Sequence, residues 1–545
     1  MHNPRCIRWI FLGLTVLLYP AVSSAAESLN SRIDQFITEG YGKFKQEVSP
    51  RSDDAEFLRR IYLDLLGRIP STAEARAFLE DRHPRKRERL IDRLLAKPEH
   101  ARHLQQVFDV LFLERRADEK VPRAAWEEFL LQSLAANKPY DQLVRELLST
   151  DGADPKTRPA AKFLLERNLE PVLLTRDISR IFLGRNLQCA QCHDHPLVDD
   201  YKQEDFYSIQ AFYNRAFLYP NAQTATAVIA EKAEGEVSFV SAFDPKKTQK
   251  SSPPRVLMGR SFKDPKVEKG KEYKVAPAKD VKPIPAVSRF AKLAPAITGS
   301  DNPAFARTAV NRIWAQLMGR GLIHPLDFDH SGNPPSHPQL LEMLAEEFEA
   351  KQFDVRWLIR EITLSESYQR SSECKSGTLS PDHLDRYLVA NLKPLSPEQL
   401  AYSTLQATGF TDTVKASLGA EVAEPVLHGK LAPNATPIIR IFAALPGEPQ
   451  DGFASTLDQT LFVKHNGSVR NLLNAQPNNL LDRCLKMPDN SAATEEIFLA
   501  VLTRYPTAAE RAAIVHYLTS SKERSVAFSD VIWSLLASNE FRFNH

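Results

Sequence analysis

Glycine is scarce in this chain, 20 of 545 residues against 37 prolines. That excludes a glycine-rich repeat and points to many helix starts joined by stiff loops. Excess charge of one sign is lacking too: Lys and Arg number 70, Asp and Glu 68, for a net charge of +2. Nothing global therefore directs the chain to nucleic acid or to an anionic membrane surface. Beyond residue 26 no apolar run is long enough to span a bilayer, so no integral span is expected in the mature chain. No glycine-rich phosphate loop is present, and no Ser, His and acid share a recognisable catalytic signature. Catalytic residues thus stay unassigned. Cysteine is down to five. The remaining composition is ordinary globular, 43% hydrophobic and 25% charged, over a length too great for one core. Two or three domains are expected.

Residues 1–26 read as a secretory signal. Arg5 and Arg8 supply its positive start, Trp9 to Tyr19 its apolar stretch, and Ser23-Ser24-Ala25-Ala26 the small residues for cleavage. Cys6 leaves with it. The mature protein is expected to be exported, periplasmic or extracellular, with Cys189, Cys192, Cys374 and Cys484 remaining. In an oxidising compartment a close cysteine pair can close a disulfide. Covalent haem attachment also takes place outside the cytoplasm.

Two of the four cysteines stand in Cys189-Ala190-Gln191-Cys192-His193-Asp194-His195-Pro196. Cys-x-x-Cys-His is the attachment pattern of c-type haem. Cys189 and Cys192 would form the thioethers and His193 the proximal ligand. His195 is too close in sequence to reach the opposite face of the ring. Met318, Met343, His330 and His337 are the distal candidates. A second reading is Zn or Fe held by Cys189, Cys192, His193 and His195, with His337 or Asp327 relieving the strain of four ligands within seven residues. A third is a disulfide in a non-catalytic binding or scaffold module, with His193 and His195 capping or packing. Haem c is the preferred reading, with an electron-transfer or redox role and a redox protein as partner. Oligomeric state has no signal in the sequence.

The rest of the chain reads as mainly α: a multi-domain helical protein with a small β-rich insertion between two helical domains. The first domain is residues 27–225, the Lys- and Pro-rich insertion and linker 226–287, and the second domain 288–545. Strand-like content lies at Thr224 to Ile229 and Glu236 to Val240. One module occurs twice. Ile61-Tyr62-Leu63-Asp64-Leu65-Leu66-Gly67-Arg68-Ile69-Pro70-Ser71 aligns without a gap on Ile497-Phe498-Leu499-Ala500-Val501-Leu502-Thr503-Arg504-Tyr505-Pro506-Thr507. Each copy continues into a capping box, Ser71 to Glu74 and Thr507 to Glu510. Asn311, Arg312 and Trp314 read as pins of the domain interface. Asp327, Asp329, His330 and His337 line a cleft or metal site on one reading, and a turn plus a helix cap at Ser336 on the simpler one. Segment 412–460 reads as less regular and rich in turns.

These marks resemble a known family, the exported planctomycete proteins that pair a cytochrome-c-like PSCyt-type domain with a PSD-type domain, both of unknown function. Residues 31 to about 225 are similar to the first, through Arg60-Ile61-Tyr62-Leu63-Asp64, Leu183-Gly184, Cys189 to Pro196 and Asp205-Phe206-Tyr207. Residues 288 to about 540 are similar to the second, through Asp301-Asn302-Pro303, Val310-Asn311-Arg312-Ile313-Trp314, Gly319-Arg320-Gly321-Leu322 and Pro335-Ser336-His337-Pro338. The resemblance implies a cytochrome but no established activity. Val198-Asp199-Asp200 departs from the aromatic residues expected there.

Overall fold

The computed structural model describes residues 27–221, 226–257, 259–375, 377–419, 421–450, 456–459, 462 and 467–545. The signal-like segment, residues 1–26, lies outside them, as do Thr224 and Ala225. The fold is mainly helical, with only small two-stranded sheets among the described residues. No described helix is long and apolar enough to cross a membrane.

The first domain opens with α1 (Leu29–Glu39), α2 (Asp54–Leu66), α3 (Thr72–Glu80), α4 (Lys86–Leu95) and α5 (Pro98–Leu113). Asp53 starts α2 by accepting the Glu56 N–H at 2.8 Å, and Gly67, at φ 68°, ends it in the left-handed region. Ser71 and Glu74 close the capping box of α3, and Arg68 bonds Glu74 at 2.9 Å. The helices Asn490–Leu502, Ala508–Ser520 and Arg524–Leu536 repeat this plan. Thr507 and Glu510 form the same capping box, and Arg504 bonds Glu510 at 2.7 Å. The two copies also pack together. Arg59, fully buried, donates to the Phe541 carbonyl at 2.7 Å and the Val501 carbonyl at 3.3 Å.

Next come α6 (Arg123–Ala135), α7 (Tyr140–Ser149), α8 (Lys162–Leu165), α9 (Pro171–Leu183) and α10 (Gln203–Gln210). Three antiparallel pairs occupy the insertion and the stretch just before it: β1 (Ala216–Asn221), from the end of the first domain, with β2 (Thr226–Glu231), then β3 (Ser238–Phe239) with β4 (Lys250–Ser251), and β5 (Tyr273–Val275) with β6 (Ile284–Pro285). Arg215 and Arg289 fasten it by ion pairs to Glu236 and Asp264. Beyond it lie α11 (Phe290–Thr298), α12 (Pro303–Met318), α13 (Pro338–Ala350) and α14 (Val355–Leu364), then α15 (Pro381–Asp385), α16 (Pro397–Ala407), α17 (Phe410–Leu418) and α18 (Glu424–Phe442).

One hydrophobic cluster runs from Leu29 to Leu388 and takes in Leu499. It contains α9 and α12 side by side, for example Ile178, Ile181, Phe305 and Val310. A second cluster joins residues from Leu395 to Phe541 and takes in Leu63 and Ile69 from the first domain. Phe206, Ile209, Phe212 and Tyr213, from α10 and the residues after it, go into the first core.

Two local expectations fail. Segment 412–460 contains regular α17 and α18, and α18 carries Pro433 and Pro437 in its interior. The prolines hid a helix that Leu427, Leu431, Ala435 and Ile438 hold down at helical spacing. The Thr436 hydroxyl donates to the Ala432 carbonyl at 2.8 Å within it. Ser336 does not cap α13: the cap position is His337, which makes no side-chain cap bond, and Ser336 Oγ lies 3.1 Å from His337 Nδ1 instead.

Candidate functional site

α9 delivers the chain to the motif. It ends at Gly184, whose φ of 65° turns the backbone left-handed. An added Cβ there would sit 2.9 Å from the Thr308 hydroxyl of α12, so the two helices approach closely at this point. Leu187 and Ala190, both 0% exposed, then anchor a 3-10 turn at Gln188–Gln191. Cys189, between those anchors, and Cys192, two residues past the second, are left facing outward. Both thiols are exposed and free.

The motif backbone is tied down from one side by α10 and the insertion. Tyr207 Oη donates to the Gln191 carbonyl at 3.0 Å. Gln203 Nε2 donates to the carbonyls of Gln191 and Val240, each at 3.2 Å. The Ala242 N–H donates to the Cys192 carbonyl at 2.8 Å, and the Tyr207 ring stacks parallel to Phe239 at 4.4 Å. Phe243 comes over the motif and stacks on the His193 imidazole at 4.2 Å. Leu197, 90% exposed, and Phe243, 69% exposed, are large apolar side chains left open to solvent in and over the motif loop.

The two motif histidines are bonded in opposite senses. His193 Nδ1 lies 2.7 Å from the Asp194 carbonyl oxygen, which can only accept. Nδ1 therefore carries the proton, and Nε2 keeps its lone pair, the state of an imidazole ready to bind a metal. His195 Nδ1 instead accepts the N–H groups of Leu197 and Val198 at 3.2 and 3.0 Å. Its proton sits on Nε2, which makes it a donor.

The second helical domain closes the other side. The Asn186 N–H donates to the Asp327 carbonyl at 2.8 Å, and the Asp329 N–H to the Gly184 carbonyl at 3.0 Å. Farther along the same loop, Ser331 Oγ donates to Asp200 at 2.9 Å. Tyr201 Oη reaches the Asp329 carbonyl at 3.4 Å, and His330 meets the Tyr201 ring edge-on at 5.4 Å. A buried ion network lies beneath. Asp327 pairs with Arg312, and with Arg180 at 3.5 Å; Arg180 also pairs with Glu114. Arg167 and Arg116 converge on Asp177 at 2.7 and 3.0 Å. Burial alone would raise the Asp177 carboxyl; Arg167, Arg176 and Arg180 overcome it and hold the group below its ordinary value. Arg312 donates to the carbonyls of Arg180 and Ile181 at 2.8 and 3.2 Å, satisfying acceptors in the last turn of α9. Arg312 is thus an interface pin. Asn311 bonds Ile323 through both its N–H and its carbonyl at 2.9 Å, and Trp314 Nε1 donates to Tyr387 Oη at 2.9 Å.

Cys189, Cys192 and His193 therefore come together in one exposed turn, with His195 in the same loop but turned to backbone donors. His337 is elsewhere: its buried ring faces Gly40 and Tyr387, and burial pushes it down to about 4. Among the described residues no group of three or more His, Cys, Asp or Glu is placed to hold a metal ion. Met318 and Met343 lie in the helical core, and His330 is the distal candidate that reaches the motif's flank. Asp327 belongs to the ion network. Sequence reasoning missed Arg185, Tyr201 and Phe243. A lone aromatic residue at 201 carries no local signal beyond core packing, and Phe243 arrives from the insertion.

Two family models match. Residues 32–217 match PSCyt2, a protein of unknown function (DUF1549), and residues 289–436 match PSD1, a protein of unknown function (DUF1553). Neither a curated protein nor a solved structure matches.

Proposed function

The chain belongs to the family that carries the PSCyt2 and PSD1 domains in tandem, and from that premise we propose that it is an exported, c-type cytochrome-like haem-binding protein with an electron-transfer role. The observation that carries this reading is the bonding of His193. A c-type site needs two reachable thiols and a neighbouring imidazole whose Nε2 is free, with Nδ1–H fixed by an acceptor. Cys189 and Cys192 are exposed, and Asp194 supplies that acceptor at 2.7 Å. The opposite bonding of His195 speaks against a compact site that uses it as a fourth ligand for Zn or Fe.

When bound, haem supplies reversible one-electron chemistry at its iron. The chain's own residues do the holding. Cys189 and Cys192 would fix it covalently, and His193 is oriented by Asp194 from one side and by Phe243 across its face. The Tyr207, Gln203 and Ala242 bonds keep the turn from moving relative to α10. A redox protein is the partner this implies. The alternative is a non-catalytic scaffold whose Cys/His turn holds a structural metal or a disulfide.

A pyridine haemochrome spectrum decides between them. Mature protein made in a host that matures c-type cytochromes should give a covalent haem c spectrum, and Cys192→Ala should lose the two-thioether form. A colourless protein from such a host, with zinc or a disulfide found instead, would overturn the reading.

A further inference from the structure

Beside the motif, hydrogen-bond donors are left over while the acceptors are used up. Arg185 lies between α9 and the Cys-x-x-Cys turn, with its backbone bridged to Phe328 of the second domain. Its Nε is buried and has no acceptor, and its side chain makes no hydrogen bond or ion pair among the described residues. His195 and His330 flank the Tyr201 ring at 5.9 and 5.4 Å. The Nδ1 of each accepts backbone N–H groups, from Leu197 and Val198 in the first and from Gly332 at 3.2 Å in the second. Both rings therefore present Nε2–H as a donor.

The carboxylates around them are already engaged. Asp200 takes the Ser331 N–H and hydroxyl, and is held below its ordinary value first by that N–H, with Arg185 and His330 adding to it. Asp205 pairs with Arg255 at 2.9 Å, Asp327 with Arg312 and Arg180, and Asp329 with Arg307 at 3.5 Å. A half-buried guanidinium without a partner is costly unless an anion completes it.

We propose that Arg185, His195 and His330 form a carboxylate-binding site at the seam of the two domains, next to the Cys-x-x-Cys-His turn. On the haem reading, on which the identity of the ligand rests, the carboxylate is a haem propionate. The same donors would take a free small carboxylate if the haem reading fails. The site also gives the second domain a share in the motif's chemistry, because His330 comes from its loop.

The test titrates the full mature chain with ferric mesoporphyrin, which lacks vinyl groups and cannot form thioethers, and separately with its dimethyl ester. Binding is followed in the Soret region. The acid is expected to bind about tenfold more tightly than the ester, the worth of one charge-assisted hydrogen bond. Arg185→Leu and, independently, His330→Phe should remove that advantage, with circular dichroism showing each variant folded and Arg185→Lys restoring part of it. In parallel, oxalate is titrated by calorimetry. Porphyrin that does not bind, together with oxalate binding that depends on Arg185, would support the site, assign it to a free carboxylate and count against haem. Acid and ester binding alike, with no Arg185-dependent oxalate heat, would overturn the proposal whether or not haem attaches in the cell.

Discussion

His193 and His195 are two positions apart and chemically opposed, because one backbone acceptor faces the first and two backbone donors face the second. If the proposed haem is attached, His193→Ala is therefore expected to leave it on its thioethers but move the Soret and α bands, while His195→Ala leaves both bands in place; optical spectra of the reduced proteins check this. Asp327 is the other single residue on which much depends. It is 8% exposed and faces Arg312 and Arg180. Asp327→Ala takes from Arg312 its one carboxylate among the described residues and from Arg180 one of several, and is expected to cost about 3 kcal/mol, read as a fall in the urea midpoint. The same variant should loosen the Asn186 anchor ahead of the motif.

At the scale of elements, the two copies of the helical module differ at one instructive position. Gly67 and Thr503 both end their helices in the left-handed region, at φ 68° and 64°. Gly67 suits that conformation, and a Cβ there would come within 2.5 Å of His103 Nδ1. Thr503 is a β-branched residue held at positive φ with its hydroxyl buried and unpartnered. Thr503→Gly is expected to raise stability by about 1 kcal/mol, since relief of backbone strain and of the unpaired hydroxyl outweighs lost packing. Gly67→Ala should lower it by more than that. Thermal melts of the two variants, read side by side, test whether the repeat obeys one rule in both places. Ser71→Ala should cost about 1 kcal/mol through the lost cap.

For the whole molecule, the first core draws on both helical domains, so neither buries its apolar face alone. Residues 27–225 expressed by themselves are expected to lack cooperative unfolding and to bind a hydrophobic dye. Stability should also depend on acid. Burial holds His100 down to about 4 and His103 down to about 3. Both stay neutral in the folded chain, whereas the unfolded chain takes up their protons near pH 6.5. Their contribution is complete above that pH and is lost progressively as pH falls through about 4 and then about 3. Each proton taken up only on unfolding contributes a slope of about 1.4 kcal/mol per pH unit. Urea midpoints should fall between pH 7 and pH 5, and less steeply in His103→Leu.

The sequence by itself determined the helical class, the capping boxes at Ser71 and Thr507, the duplicated module, and the gathering of Cys189, Cys192 and His193 in one short turn. Each of these rests on interactions within a few residues, so spacing is enough to read them. It misread α18, where two prolines outweighed a buried stripe. Only the tertiary structure decided which nitrogen of His193 stays free, that Phe243 lies on that ring, that His337 packs against Gly40 and Tyr387 and not at the turn, and that Arg185 Nε is left without an acceptor among the described residues. The His193 acceptor is the carbonyl of the next residue, aimed by the fold of the turn, while Phe243 comes from the insertion, Gly40 at His337 from the end of α1, and Phe328 beside Arg185 from the second domain. Hydrogen-bond direction at an imidazole depends on which backbone group the folded turn aims at it, a matter of backbone torsion that residue types do not specify, and no local pattern encodes a ring that packs from fifty residues away.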